Sequence, residues 1–388
     1  MGNCSNCCFD IPLQAYNTSI FAILDLATGE HRYVDERSGF AYAASMQGAS
    51  ARVATEIVRQ VDFSTFDADG DELSNSSIPA IGDPGYYGYS EVMPAGDYAV
   101  YGNATAFSGT ATSIRFHDYT GAAFDYSTGF TSSNYSTQAD GDKIWQASRS
   151  TSTVRIKAIQ KGSGIVEDFT CQGATFVSAS ANRFGVFEQC RLPYRVTGTS
   201  AFLAGVASSE GVVGRWTIGT SPVSPDWTTQ IQSYTTMRLA QFATVGSHVY
   251  AFTSRTSGSE AHLTKLLQSD GSIVWSVEVE DPSDVNGVTA NASFVIVHTS
   301  TKTVAYDASG NVFREIGQSG NSSAFINGHL FMTGLDIGGS AGLFCYDETT
   351  LELKWFQSVG TITGIDSFDD AVCISYSSQI LHAPARPI

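Results

Sequence analysis

The feature that most constrains this chain is a pair of turn signals that alternate along nearly its whole length. One series reads Asp-x-x-Gly ahead of a strand-like run: Asp67-Ala-Asp-Gly70, Asp118-Tyr-Thr-Gly121, Asp307-Ala-Ser-Gly310 and a degenerate Asp347-Glu-Thr-Thr350. Its turns fall near Gly29, Gly70, Gly121, Gly164, Ser224, Gly271, Gly310 and Leu351. The other series places a small or polar residue before an alternating apolar strand. It is clearest at Gly96, Gly141, Gly198, Gly246 and Gly328, and weaker near Gly48, Ala292 and Asp370. Copies of each recur about every 46 residues, the spacing of a repeat architecture.

Two hairpin turns per period make a four-stranded antiparallel meander, which is one blade of a β-propeller. Eight turns in each series predict an all-β, eight-bladed propeller. Seven blades is the alternative, with 379–383 as an unplaced strand. The chain opens on an outer-type hairpin, 19–36 around Thr28-Gly29, and finishes on an inner-type hairpin, 361–377 around Asp369-Asp370. Neither is a whole blade, but together they make one, and sharing it removes two exposed sheet edges. Helical periodicity is nearly absent, with 52–61 the one ambiguous stretch. The reading therefore divides the chain into a Cys-rich arm (1–16), a propeller (17–383) and a tail (384–388). The longest gap between copies, Gly141 to Gly198, holds an insertion at about 171–190. Cys171 and Cys190 bracket it, close enough to bridge if its arms pair.

Composition suits short strands and tight turns: 42% hydrophobic, 12% aromatic and only 15% charged. The net charge of −17 repels phosphate backbones and anionic lipid, so neither nucleic acid nor a membrane surface is an expected partner. No apolar run reaches 18 residues, and the N-terminus has neither a basic start nor an apolar signal core. The expected location is a virion or the cytoplasm.

At Gln268-Ser-Asp-Gly-Ser-Ile-Val-Trp275 and Tyr346-Asp-Glu-Thr-Thr-Leu-Glu-Leu-Lys-Trp355 the pattern resembles the repeat of quinoprotein-type (PQQ-like) β-propellers. The resemblance is good over 260–360 and faint before 200. It implies eight blades, and it implies that Trp275 and Trp355 are buried against the neighbouring blade. The family's quinone-dependent dehydrogenases are larger and carry a vicinal cysteine pair and a calcium site in the propeller. Here the vicinal pair, Cys7-Cys8, lies in the arm, so the non-enzymatic branch is favoured. That branch includes propeller lipoproteins of outer-membrane barrel assembly, which are similar in length.

Candidate chemistry is sparse. Asp67, Asp69 and Asp71 resemble the start of a calcium loop, but an EF-hand needs Gly at its sixth position and Glu at its twelfth, where Glu72 and Ile78 stand. A turn is the better reading, with Ca2+ the only cofactor the sequence suggests. Gly338-Gly-Ser-Ala-Gly342 matches a nucleophile elbow, yet a strand rather than a helix follows Ser340. His31, His117, His248, His262, His298, His329 and His382 show no metal-ligand spacing. His248 and His329 fall at corresponding places, one residue apart in register, and read as blade-edge hydrogen-bonding groups. Tyr86, Tyr87 and Tyr89 form a loop suited to touching a glycan or protein. Cys4, Cys7 and Cys8 offer three of the four ligands a structural zinc takes, and read better as part of an arm packed on a neighbouring chain.

No catalytic residue is expected. The function expected is a structural or binding module in a larger assembly, as a decoration, tail or host-adhesion component of a phage or virus particle. Its partners would be other protein subunits and a host-surface protein or glycan. Two alternatives are a cellular assembly scaffold similar to the barrel-assembly lipoproteins and an enzyme with its site in the propeller funnel.

Overall fold

The computed structural model describes residues 17–38, 40–47, 49–57, 60–79, 90–95, 98–103, 113–117, 123–127, 135–140, 143–149, 152–173, 175–176, 194–207, 210–219, 223–232, 237–255, 260–279, 285–299, 302–316, 320–335, 339 and 341–379. Every strand pair among them is antiparallel, apart from one isolated bridge between Cys171 and Val223.

The chain begins with a hairpin, β1 (Asn17–Asp25) and β2 (His31–Ser38). Sheet 1 follows: β3 (Phe40–Gln47), β4 (Ser50–Ile57), β5 (Gln60–Phe66) and β6 (Glu72–Pro79). The stretch with ambiguous periodicity is thus two strands, β4 and the start of β5. Sheet 2 holds β7 (Ser90–Ala95), β8 (Tyr98–Asn103), β9 (Ser113–His117) and β10 (Ala123–Ser127). Sheet 3 holds β11 (Tyr135–Asp140), β12 (Lys143–Arg149), β13 (Thr153–Gln160) and β14 (Gly164–Gln172).

Sheet 4 contains β15 (Thr175–Phe176), β16 (Tyr194–Thr197), β17 (Ser200–Ala207), β18 (Glu210–Thr217) and β19 (Trp227–Gln232). Sheet 5 runs through β20 (Met237–Val245), β21 (His248–Arg255), β22 (Ala261–Leu267) and β23 (Ile273–Glu278). Sheet 6 is β24 (Val285–Ala290), β25 (Phe294–Thr299), β26 (Thr303–Asp307) and β27 (Val312–Ile316). Sheet 7 is β28 (Gly320–Ile326), β29 (His329–Leu335), β30 (Ala341–Asp347) and β31 (Leu353–Ser358). The last hairpin, β32 (Thr361–Phe368) and β33 (Ala371–Gln379), pairs with the first, giving a composite sheet ordered β2-β1-β33-β32.

Both turn series land between strands. One joins the first and second strands of each sheet, the other the third and fourth. The degenerate copy is instructive. Leu351 occupies the left-handed position taken by glycine elsewhere (φ 54°) and is fully buried, so packing offsets a strain of about 1–2 kcal/mol.

The core is not one mass but layers between consecutive sheets. Side chains alternate across a strand, so one strand feeds two layers. From β1, Ile20, Ala22 and Leu24 join Phe331, Cys345 and Trp355 of sheet 7. Phe21 and Ile23 join Val53 and Phe66 of sheet 1. Strands covered on both faces read as unbroken apolar runs: β25 is buried along its whole length, whereas the outermost β27 is exposed at all but its last residue.

At the start of the insertion expected at about 171–190, β14 continues to Gln172, and Cys171 is a fully buried free thiol within it. Burial among Trp145, Phe169 and Tyr194 pushes that thiol up to about 12. Both β15 and β16 pair with β17, so the first strand of sheet 4 is split in two. Residues 177–193 join the halves and, with Cys190, lie outside the described residues.

Candidate functional site

The sheet junctions show what the polar residues do. Among the described residues, four of the third-to-fourth-strand turns are closed by their own aspartate. Asp25 Oδ1 accepts the N–H groups of Ala27 and Thr28, and Asp347 Oδ1 those of Thr349 and Thr350. Asp67 Oδ1 accepts those of Asp69 and Asp71, and Asp307 Oδ1 those of Ser309 and Asn311. Asp67 thus acts as a turn cap. The Asn311 N–H holds the Asp307 carboxyl below its ordinary range, the Thr349 hydroxyl with the turn N–H groups does so for Asp347, and Arg32 with the turn N–H groups for Asp25. No group of three or more His, Cys, Asp or Glu side chains converges among the described residues.

An aromatic ring from the preceding sheet then covers the turn. The Trp355 indole N–H donates to the Leu26 carbonyl at 2.7 Å, Trp275 to Ala308 at 3.0 Å, and Trp227 to Gln268 at 3.1 Å. Glycine lies beneath all three of these rings, with Gly271 under Trp227. A Cβ at Gly29 would lie 2.7 Å from Trp355 Cδ2, and one at Gly310 would lie 2.9 Å from Trp275 Cδ2. Both glycines also have positive φ. A cation often joins the same turn: Arg215 donates to the Gln268 carbonyl and Lys265 to that of Ala308.

The resemblance named Trp275 and Trp355, and the structure docks both. Trp355 is buried, but Trp275, at the same third place in its strand, is only half-buried. Trp227 and Tyr33 were missed. Tyr33 packs over Gly70 in the same way. A four-residue offset from the left-handed turn position, shared by Gly29–Tyr33, Gly271–Trp275 and Leu351–Trp355, is the signal that finds Tyr33.

The composite sheet gathers further polar contacts. Arg32 on β2 donates to both carboxylate oxygens of Asp370, at 3.1 and 2.8 Å, and to Asp25 at 2.6 Å. The guanidinium is pushed further up and both carboxyls are pushed down by these bonds. The Leu26 N–H donates to the Asp370 carbonyl at 2.8 Å. On β32, the half-buried Asp366 carboxylate accepts the Met46 N–H of sheet 1 at 2.8 Å, and loss of solvent around it pushes its pKa up. Gln138 makes the matching link between β11 and Val196 of β16. Asn17 pairs with Gln379, so the first and last described strands end on the same rung. This rung, where other sheets connect their second and third strands, is the candidate site.

The acid behaviour of the clip follows from its geometry. Asp25 and Asp370 are depressed when folded, so their contribution is present above the unfolded value of 3.8 and is lost as pH falls through the folded values. Arg32→Met should flatten the acid limb of a Tm-against-pH curve below about pH 4. An acid limb equally steep in the variant would remove the clip from closure.

The other sequence candidates are placed as follows. His248 and His329 open β21 and β29 and pair with Val245 and Ile326, so their registers coincide rather than differing by one. The two intervening turns have equal length, Gly246-Ser247 and Asn327-Gly328. His329 Nδ1 donates to the Asn327 carbonyl and its Nε2 accepts from Lys354. His298 is fully buried and links β25 to Thr303 (3.0 Å) and to Ser323 of sheet 7 (2.6 Å). This Ser–His pair has no exposure, so it bridges two sheets. His31 meets Gln357, and His262 stands opposite Thr253 and Glu278. Cys4, Cys7, Cys8, Tyr86, Tyr87, Tyr89, Ser340 and His382 lie outside the described residues, as does the side chain of His117.

No family model matches the chain, and no curated protein matches its sequence. Among solved structures it is similar to BamB from Moraxella catarrhalis, at 12% identity and TM-score 0.50, with 94% of this chain and 92% of that one covered. It is also similar to a prolyl endopeptidase, at 8% identity and TM-score 0.50. There 82% of this chain aligns, spanning 50% of the other. Identities this low speak to fold alone. With its succession of antiparallel sheets, the chain has a β-propeller fold.

Proposed function

We propose that the chain is a closed, eight-bladed, non-enzymatic propeller that works as a binding module in a larger protein assembly. Eight sheets among the described residues, each touching the next in chain order, support the blade count, and the composite sheet supports closure. The observation that carries the functional reading is the structural use of the ionisable groups. Asp25, Asp67, Asp307, Asp347, Arg32 and His298 tie turns and sheets together instead of facing a shared cleft. A frame fixed in this way leaves its connecting loops and chain ends as the adaptable surface.

Within this reading, the assembly is a phage or virus particle, a step resting on the Ser/Thr/Asn/Gly-rich, lysine-poor composition. The arm bearing Cys4, Cys7 and Cys8 packs on a neighbouring subunit there. Removing residues 2–10, or replacing the three cysteines by serine, should weaken incorporation into the particle. The melting temperature of the isolated chain should stay within a few degrees. Sedimentation beside a thermal melt checks this. Normal incorporation by the truncated chain would make the arm incidental, and a lost monomer fold would place it in the core.

A further inference from the structure

The outer strand of a sheet leaves alternate N–H and C=O groups unpaired along its free edge, a template for a further strand. The chain closes one such edge itself. At the end of β14 an extended stretch at Val223 adds to sheet 3 in parallel. The Val223 N–H donates to the Thr170 carbonyl at 2.9 Å, and the Gln172 N–H donates to the Val223 carbonyl at 3.2 Å. Two other edges are guarded by composition: β2 carries Asp35 and Glu36, and β6 ends on Pro79. The outer strands of sheets 5, 6 and 7 instead open on apolar residues. These are Ile273 and Val274 of β23, Val312 and Phe313 of β27, and Leu353 of β31, all 45–57% exposed. The three edges stand side by side. The Trp275 indole of β23 bonds the turn of sheet 6 at Ala308, and Arg314 of β27 bonds the turn of sheet 7 at Leu351.

β27 is the middle edge of the three and is exposed from Val312 to Glu315. Charge around it selects the occupant. The cations here are engaged within the chain: Arg314 at the Leu351 carbonyl, Lys302 with Glu315, and Lys354 with Asp347. Glu278 of β23 and Glu352 beside β31 face solvent, on a chain of net charge −17. We propose that the outer edge of β27 takes up an extended segment of a partner protein, with apolar residues alternating with Lys or Arg, as a fifth strand of sheet 6. Main-chain hydrogen bonds hold the segment, its apolar side chains cover Val312 and Phe313, and its cations meet the carboxylates on either side. Val223 makes this arrangement within one chain, pairing with an outer edge while its side chain packs on the adjoining apolar layer. The inference rests on the binding-module reading and gives that module a surface and a class of partner.

The test titrates the full-length chain into a fluorescent peptide of about ten residues alternating Lys and Val, a length within the range of one strand. Anisotropy reads the affinity, and amide hydrogen exchange reads the place. The peptide should bind and slow exchange at 312–316. An analogue methylated at every backbone N–H keeps the side chains but cannot pair, and should bind at least about tenfold more weakly. Val312→Lys, which puts a guarding charge on the edge, should weaken the parent peptide to a similar degree. Phe313 is left in place because it packs on Phe294 with centroids 4.7 Å apart, and Val312→Thr replaces the lysine variant if the melt changes. Leu353→Lys, on the next sheet, should leave the affinity within about twofold. Equal binding by the methylated analogue, by the Val312 variant or by a peptide with Glu in place of Lys would overturn strand addition at β27. So would slowed exchange elsewhere than 312–316, or no binding. The binding-module reading is tested apart from it, by incorporation into the particle.

Discussion

Deletion of residues 1–38 should abolish cooperative folding of the remaining chain. The hairpin removed buries Ile20, Phe21, Ile23, Leu24 and Leu26. At about 1.5–3 kcal/mol per large apolar side chain, that burial amounts to roughly 10 kcal/mol, comparable with the ~5–15 kcal/mol total stability of an ordinary domain. The loss extends beyond the hairpin. Trp355 loses its carbonyl acceptor, Phe66 and Tyr376 lose their cover, and all nine rungs of β33 are bared to water. Circular dichroism through a thermal ramp decides the matter: the deletion should show no sharp transition, while removal of 1–16 alone should retain one. A deletion that melts like the parent would rule out closure through the composite sheet.

Trp355→Ala should destabilise by about 3–5 kcal/mol, the range for emptying a buried indole site. The ring is buried, packs on Phe331 with centroids 6.1 Å apart, covers Gly29 and bonds Leu26, so its cavity opens at the junction of the composite sheet with sheet 7. Trp275→Ala should cost roughly half as much, since that ring is half-buried while making the same kind of bond. Urea denaturation of both variants ranks them. Equal losses would mean that the turn bond, not burial, carries the docking energy.

That ranking marks what the sequence could supply. The repeat identified Trp275 and Trp355 as docking residues because a turn signal and an indole at fixed spacing are local facts. It could not say that one ring is covered and the other half open, because cover comes from a neighbouring sheet. Trp227 escaped notice because its own turn, 218–226, is longer and lacks the Asp-Gly signature. The start of the insertion shows the same limit: only the neighbouring strand reveals that Cys171, one of the two cysteines bracketing it in the sequence, still belongs to β14 and faces a buried layer.

Local pattern was enough to read the strand count per repeat, both turn series and the lone hairpin at each end. Alternation of side chains and the φ demands of tight turns act over a few residues and leave a direct imprint on composition. Which groups meet is set by how the sheets stack: Arg32 with Asp370, Asp366 with the Met46 amide, His298 with Ser323, and Asn17 with Gln379. Three of these contacts join residues more than 300 positions apart; the turn order foretold that the two end hairpins share a sheet, but no local pattern says which side chains meet there. They follow from the way twisted sheets stack face to face, which brings together side chains that the chain itself keeps apart.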